Sequence, residues 1–306
     1  SNQKKFWIFR EACQLIEQLT IIGVGLIGGS LARALRRVSA CSEVVGCSRR
    51  EPHLQEAVSL GVIDRYTTDM AEAVKDADVV LVAVPLGAMG PVFDAMRDAL
   101  PPHAIVTDGG SAKGSVVEDA RANLGEHFER FVPAHPIAGT EQSGVSASFA
   151  ELFENRRVVL TPVEETDAEA TAKVRQMWEL TGAVVSETTV EHHDKVLAAT
   201  SHLPHMLAYT LVDMLALMET REEIFEFAAG GFRDFTRIAA SDPVMWHDIC
   251  MANSDALLAM LNRFSDRLDT LKTSIQHGDS EVIRTIFERA KRSRDGFVEN
   301  QQENSS

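Results

Sequence analysis

Cysteine is scarce in this chain. Cys13, Cys41, Cys47 and Cys250 are scattered and show neither metal-ligand nor redox spacing, so they read as reduced thiols in a cytoplasmic protein. Long apolar runs are missing as well. None reaches the roughly 18 residues needed to span a bilayer. The first apolar stretch is interrupted by Arg10, Glu11 and Glu17, so no secretory leader is visible. Positive charge is in deficit, with 30 Lys and Arg against 45 Asp and Glu, a net charge of −15. Such a chain repels nucleic acid and anionic membranes, and neither is expected as a partner. The deficit also sets a condition: an anionic ligand must be collected by particular arginines against the overall field.

What remains is 306 residues, about two ordinary domains, with the hydrophobic content of a folded core. The first half alternates short Val- and Ile-rich runs with helical patterns. The runs cover 19–24, 44–47, 79–84, 105–108, 131–134, 158–161 and 183–186, and the helical patterns 30–38, 52–60, 70–75, 91–100, 115–124 and 168–180. Continuous apolar runs suit strands buried on both faces. Their alternation with helices predicts an α/β fold of Rossmann type, a doubly wound, mainly parallel sheet. From about Thr189 the texture turns helical, with breaks at Gly230-Gly231, Ser241-Asp242-Pro243 and Gly278. The expected division is an N-terminal extension 1–18, a dinucleotide-binding domain 19–188, an all-helical domain 189–298 and a polar tail 299–306. No separate mutase or regulatory domain is expected within these segments. In the helical part, Leu257, Leu258, Leu261, Phe264, Leu268 and Leu271 form an apolar stripe, suited either to intrachain core or to a dimer seam.

Gly23-Val24-Gly25-Leu26-Ile27-Gly28 follows the first strand and opens a helix. In that context the first glycine makes a tight turn, the second admits a pyrophosphate, and the third lets helix and sheet pack closely. The helix N-terminus offers free N–H groups to phosphate. The second strand ends in Ser48-Arg49-Arg50, without the acidic residue that usually binds the adenosine ribose. This tolerates or favours a 2′-phosphate, so the cofactor is NADP or NAD, with NADP favoured. Arg33, Arg36 and Arg37 on the adjoining helix are expected to reinforce that attraction, unless Arg49 and Arg50 are merely solvated loop charges. Pro85 and Ser111 stand at the next two strand ends, on the side of the sheet where ligands bind. Ser111 suits a place beside the nicotinamide, a helix N-cap, or both. His135, at the fifth strand end, is flanked by Pro136 and Gly139 in an unusual loop.

Five stretches together resemble the prephenate dehydrogenase family, which includes arogenate and cyclohexadienyl dehydrogenases. They are Gly23 to Gly28, Asp108-Gly109-Gly110-Ser111-Ala112-Lys113, His135-Pro136-Ile137-Ala138-Gly139-Thr140-Glu141, Ser201-His202-Leu203-Pro204-His205, and Gly230-Gly231-Phe232-Arg233-Asp234-Phe235-Thr236-Arg237. The resemblance runs from about Leu19 to Phe297. It implies oxidative decarboxylation of prephenate, L-arogenate or both, on the way to tyrosine, by a homodimer formed through the helical domain. It implies that His135 polarises the substrate's ring hydroxyl, that Ser111 bonds that hydroxyl and the nicotinamide, and that Arg237 binds the side-chain carboxylate. His202 and His205 would line the pocket, and Thr140, Glu141, Asp234 and Trp246 would lie near the substrate.

The residue types suit this chemistry on their own terms. Removing hydride from an alcohol carbon requires a base for the hydroxyl proton, and imidazole serves at neutral pH. The carboxylate that leaves as CO₂ should not be gripped by a strong cation. The one that stays should be, and a bidentate arginine fits it.

Other readings bear on the same residues. His192-His193-Asp194 with His202 and His205 suggests a metal cluster, but ligand spacing is lacking and no metal is expected. His192 and His193 read instead as surface or hinge residues, Lys113 as closing a helix start, and Asp234 as a possible salt-bridge partner for Arg233 and Arg237. A β-hydroxyacid dehydrogenase would need a catalytic lysine, for which Lys195 is the candidate, and a non-catalytic NAD(P)-binding redox sensor would need no base.

Overall fold

The structure, a computed structural model, describes residues 15–140 and 142–303, without the side chains of 299–303. Glu141, residues 1–14 of the expected extension and the last residues of the tail lie outside the described residues.

Five crossovers build a six-stranded sheet, every neighbouring pair parallel, in the order β3-β2-β1-β4-β5-β6. Its strands are β1 (Ile16–Ile22), β2 (Cys41–Cys47), β3 (Arg65–Thr67), β4 (Val79–Val82), β5 (Ile105–Asp108) and β6 (Phe131–Val132). The helices between them are α1 (Leu26–Arg37), α2 (Glu51–Ser59), α3 (Met70–Val74), α4 (Met89–Arg97) and α5 (Gly114–Asn123). Strands β4 and β5 are buried along their whole length, as helices on both faces of the sheet require. One core cluster gathers Leu31, Leu35, Leu54, Phe153 and Trp178, and a second gathers Met89, Phe93, Met96, Phe131, Trp246 and Ile249. The strand order reverses between β1 and β4, and the loops leaving their carboxyl ends form the crevice where such sheets bind ligands.

The apolar run 131–134 does not form one strand. Pro133 has no N–H for a ladder, and the chain turns there out of the sheet. It continues as β7 (Ala134–Pro136), in a separate sheet with β8 (Arg157–Leu160) and β9 (Val184–Glu187). β7 runs antiparallel to β8, with His135 opposite Val159, and β8 runs parallel to β9. Between β8 and β9 lies α6 (Ala168–Glu179), capped by the Asp167 side chain.

The helical part opens with α7 (Val190–Leu197), capped by the Thr189 hydroxyl. It passes through a π turn, Ala198–His202, into α8 (Leu203–Ala216). Then come α9 (Arg221–Glu226), α10 (Gly230–Thr236), a 3-10 turn at Arg237–Ala240 and α11 (Pro243–Ala252), the last capped by Asp242. Arg237 therefore starts a new turn and does not continue the helix that carries Arg233. By compactness the chain divides at Ala256, inside α12 (Ser254–Gln276), and the unit from Leu257 holds the rest of α12 and α13 (Ser280–Glu303). Most of the stretch read as a polar tail is thus helical. Within the single chain, Leu258, Phe264, Leu268 and Ile275 of α12 and Phe287 and Phe297 of α13 are exposed.

Candidate active site

The turn after β1 uses its three glycines differently. Gly23 has φ 91°, and a Cβ there would stand 2.4 Å from the Ala83 carbonyl oxygen. A Cβ on Gly28 would meet the Gly23 oxygen at 2.8 Å and Ile21 at 2.6 Å. At Gly25 a Cβ would meet nothing, which leaves the backbone open to a ligand. The first turn of α1, at Leu26, Ile27 and Gly28, has no side-chain cap, so its N–H groups are available to an anion. Pro85 stands across the crevice and opens a short 3-10 turn. These groups fit a dinucleotide pyrophosphate.

At the end of β2, the Ser48 hydroxyl accepts from the Arg50 amide, and Arg49 and Arg50 are exposed. The expected reinforcement from α1 is absent. Arg33 donates to Ser148, Arg36 pairs with Asp64, and Arg37 pairs with Glu151 and Glu154. Arg36 and Arg37 occupy the last turn of α1, the end away from its phosphate-facing N-terminus. Any 2′-phosphate is left to Ser48, Arg49 and Arg50.

His135 is 8 % exposed, at the end of the first sheet where β7 begins. Burial holds its ring well below the ordinary histidine value, and His193, Lys113 and His202 lower it further. It is therefore neutral at physiological pH. Its Nδ1 lies 2.8 Å from His193 Nε2, and His193 Nδ1 lies 2.7 Å from Asp194 Oδ1. Asp194 also accepts from the amides of Lys113 and Gly114, each at 2.8 Å. Burial alone would raise this carboxyl, but the bonds from His193 and the two amides leave it lowered.

Three expectations change here. His193 is buried at 1 % exposure and is not a surface or hinge residue, whereas His192 is exposed. Ser111 does not cap α5, because the Asp194 carboxylate from α7 does so. Lys113 does more than close a helix start. It is fully buried, pairs with Asp108, and donates to the Ala134 carbonyl at 2.8 Å. Asp108 in turn accepts from the amides of Gly110 and Ala134, and so pins the Ser111 loop to the start of β7. Burial lowers the Lys113 ammonium below the usual lysine value although Asp108 opposes this.

The Asn253 side-chain amide bridges to the other histidines. It donates to the Asp194 carbonyl at 2.9 Å and lies 3.2 Å from His202 Nδ1. His202 is completely buried, its Nε2 has no partner among the described residues, and burial lowers it to about 4. The Ser111 main chain is close enough to influence it. Trp246 Nε1 is likewise buried without a partner. His205 stacks on Trp246 at 3.5 Å between ring centres and donates from Nδ1 to the Ser201 carbonyl. Burial lowers His205 as well, and Arg237 is near enough to lower it further.

The fold thus brings Ser111, His135, His202, His205, Trp246 and Arg237 into one neighbourhood, together with His193, Asp194 and Asn253. Thr140 bonds Gln142 within its own loop and lines a cleft of about 310 Å³ with Phe149, Glu151 and Arg156, and Asp234 is exposed on α10. Lys195 pairs with Glu191 on the surface. Among the described residues no group of His, Cys, Asp and Glu is arranged to hold a metal ion, and no helix is long and apolar enough to cross a membrane.

A dinucleotide crevice beside a buried neutral histidine, with an arginine and buried ring nitrogens that have no partner among the described residues beyond it, defines a nicotinamide-dependent dehydrogenase. Residues 31–187 match the family model of the prephenate dehydrogenase nucleotide-binding domain, and residues 189–289 that of its dimerization domain. The cyclohexadienyl dehydrogenase of Zymomonas mobilis is 42% identical over 92% of this chain and 96% of its own. The crystal structure of Aquifex aeolicus prephenate dehydrogenase with hydroxyphenyl propionate and NAD+ superimposes with a TM-score of 0.87 at 38% identity, covering 92% of this chain and 98% of that one. The Synechocystis arogenate dehydrogenase gives 0.77 at 30%, covering 92% and 99%. The chain belongs to the prephenate dehydrogenase family.

Proposed function

We propose that this chain oxidatively decarboxylates prephenate to 4-hydroxyphenylpyruvate, L-arogenate to tyrosine, or both, with NAD(P) as oxidant. The observation that carries this reading is His135. It is buried, neutral and hydrogen-bonded at Nδ1, at the ligand-binding end of a dinucleotide sheet. The nicotinamide supplies the hydride acceptor when bound. Ser111 orients the substrate's ring hydroxyl, and His135 Nε2 takes its proton as the alcohol carbon becomes carbonyl-like. Loss of the ring carboxylate as CO₂ then aromatises the ring. Arg237 holds the side-chain carboxylate, the strong contact that the net negative charge of the chain makes necessary. His202 and Trp246, each with a buried ring nitrogen that has no side-chain partner among the described residues, supply donors to the substrate. His205 lines the pocket, and Thr140, Glu141 and Asp234 are assigned to the substrate by the family resemblance alone.

The functional division is a dinucleotide-binding domain to about Thr188 and a helical domain beyond it, which forms a homodimer. The exposed apolar residues of α12 and α13 support the dimer. Steady-state kinetics with each substrate, followed by the absorbance of the reduced nicotinamide, test the function. Turnover of prephenate, arogenate or both is expected, and turnover of neither overturns the reading.

A further inference from the structure

Behind His135 stand two groups that the reaction as written does not use. His193 and Asp194 are neighbours on α7, and both reach the site from outside the dinucleotide sheet. The proton order along the chain of contacts follows from the donors and acceptors. An ionised carboxylate only accepts, so the proton between Asp194 and His193 belongs to His193 Nδ1. A neutral His193 then offers a bare Nε2. The proton in the next bond must belong to His135 Nδ1. That leaves His135 Nε2 without a proton, the only arrangement in which His135 can act as a base. Asp194 is itself fixed by the Lys113 and Gly114 amides, so the orientation of both rings is anchored in the start of α5.

Resting on the reading of His135 as the base, we propose that His193 and Asp194 form a proton relay behind it. They are positioning residues in the resting enzyme and a charge sink during turnover. The substrate O–H bond breaks and a bond forms at His135 Nε2, while the electron pair left on oxygen closes the carbonyl as hydride departs to the bound nicotinamide. The Nδ1–H bond of His135 breaks in turn, and a bond forms at His193 Nε2. The positive charge comes to rest on His193 against the Asp194 carboxylate, and His135 is neutral again as the ring C–CO₂ bond breaks and its electron pair makes the ring aromatic, after which the ring oxygen takes a proton back from His135 Nε2 and the relay reverses. The other titratable groups around His135 are Lys113 and Asp108 at the β5–α5 corner and His202 in the π turn, while β8 faces it with Val159. Lys113 is engaged with Asp108 and the Ala134 carbonyl, and His202 with Asn253, so neither stands at Nδ1.

Two variants separate positioning from relay. In His193→Gln the amide oxygen can still accept from His135 Nδ1, but it cannot carry a proton onward. Its KM should hold while kcat falls about tenfold or more. In Asp194→Asn the amide oxygen can still accept from His193 Nδ1 and from the Lys113 amide, but the negative charge that would hold the relayed proton is gone. Its kcat should fall about tenfold or more, and the acid limb of the kcat/KM profile should move to lower pH. Heteronuclear NMR of the histidine ring nitrogens should find the His135 proton on Nδ1 in the unmodified enzyme. Asp194→Asn also weakens the start of α5, so His193→Gln, which leaves that cap intact, keeps the test available if Asp194→Asn does not fold. Normal kcat in His193→Gln, an unmoved acid limb in folded Asp194→Asn, or a His135 proton on Nε2 in the unmodified enzyme overturns the relay. If His135→Asn is inactive in the same assays, the base stands and the relay alone has failed. An active His135→Asn removes the base itself.

Discussion

Around His135 the charged groups are buried and engaged, whereas at the end of β2 they stand in water. Lys113 and Asp108 have no exposed side-chain surface at all, and Asp194 is held by three hydrogen-bond donors. Arg49 and Arg50 are exposed, and Ser48 exchanges hydrogen bonds with the Arg50 backbone of its own loop. Solvent and salt weaken an exposed charge, while a buried one acts at nearly full strength and is costly to leave unpaired. The same kinds of residue should therefore differ greatly in what their loss does.

The sharpest way to break this contrast is His135→Asn, which should lower kcat by about 10²–10⁴ while leaving substrate binding in place. Near-normal turnover by stopped-flow or steady-state assay would sink the assignment. Lys113→Met comes next and tests the buried pair through folding. It abandons the Asp108 carboxylate, and denaturant titration should show a loss of about 3–5 kcal/mol. A loss within error of zero would mean that Asp108 has taken up a proton or found water. Arg237→Ala lies between the two regions, since Arg237 is exposed yet close to His205. It should raise KM for the substrate far more than it lowers kcat, because its contact exists before and during the reaction. An unchanged KM in a folded variant would make the arginine structural. The smallest effect belongs to the β2 rim. Arg49→Ala should lower kcat/KM for NADP by several-fold at most, about 1 kcal/mol after screening, and spare NAD. Strict use of NAD by the unmodified enzyme would show that these arginines face solvent.

The dinucleotide half was largely legible because its signals are local. A strand, three glycines and a helix are contiguous in sequence, and each glycine answers to backbone geometry. The weak points were Pro133, which splits one apolar run between two sheets, and β3, whose three half-buried residues Arg65, Tyr66 and Thr67 carry no apolar run. The histidines after Thr189 were harder to read. His192 and His193 are adjacent and chemically identical, but the Thr189 cap sets the phase of α7 so that one is exposed and the other buried. That cap was a usable signal, as was the acidic residue directly after His193. Nothing local, however, announces that Asp194 caps α5, eighty residues earlier in the chain. Lys113 was misread for a similar reason: its partners Asp108 and Ala134 meet only once β5 and β7 are in place. The arginines of α1 were counted toward the phosphate because they share a helix with it, but their partners at Asp64, Glu151 and Glu154 come from distant segments.

The π turn at Ala198–His202 constrains descent as well as chemistry. In an unbroken α-helix each residue advances about 100°, so His193 and His202, nine positions apart, would emerge on opposite sides. The wider turn takes up part of that sweep and lets both reach toward Asn253, one through Asp194 and the other directly. Removing a single residue from 198–202 would let the segment close into ordinary winding with α8 and His205 nearly in place, and the loss would fall on His202 and its reach toward Asn253. This stretch should therefore accept changes of letter far more readily than changes of length, and a relative one residue shorter here would have had to replace that contact with another side chain.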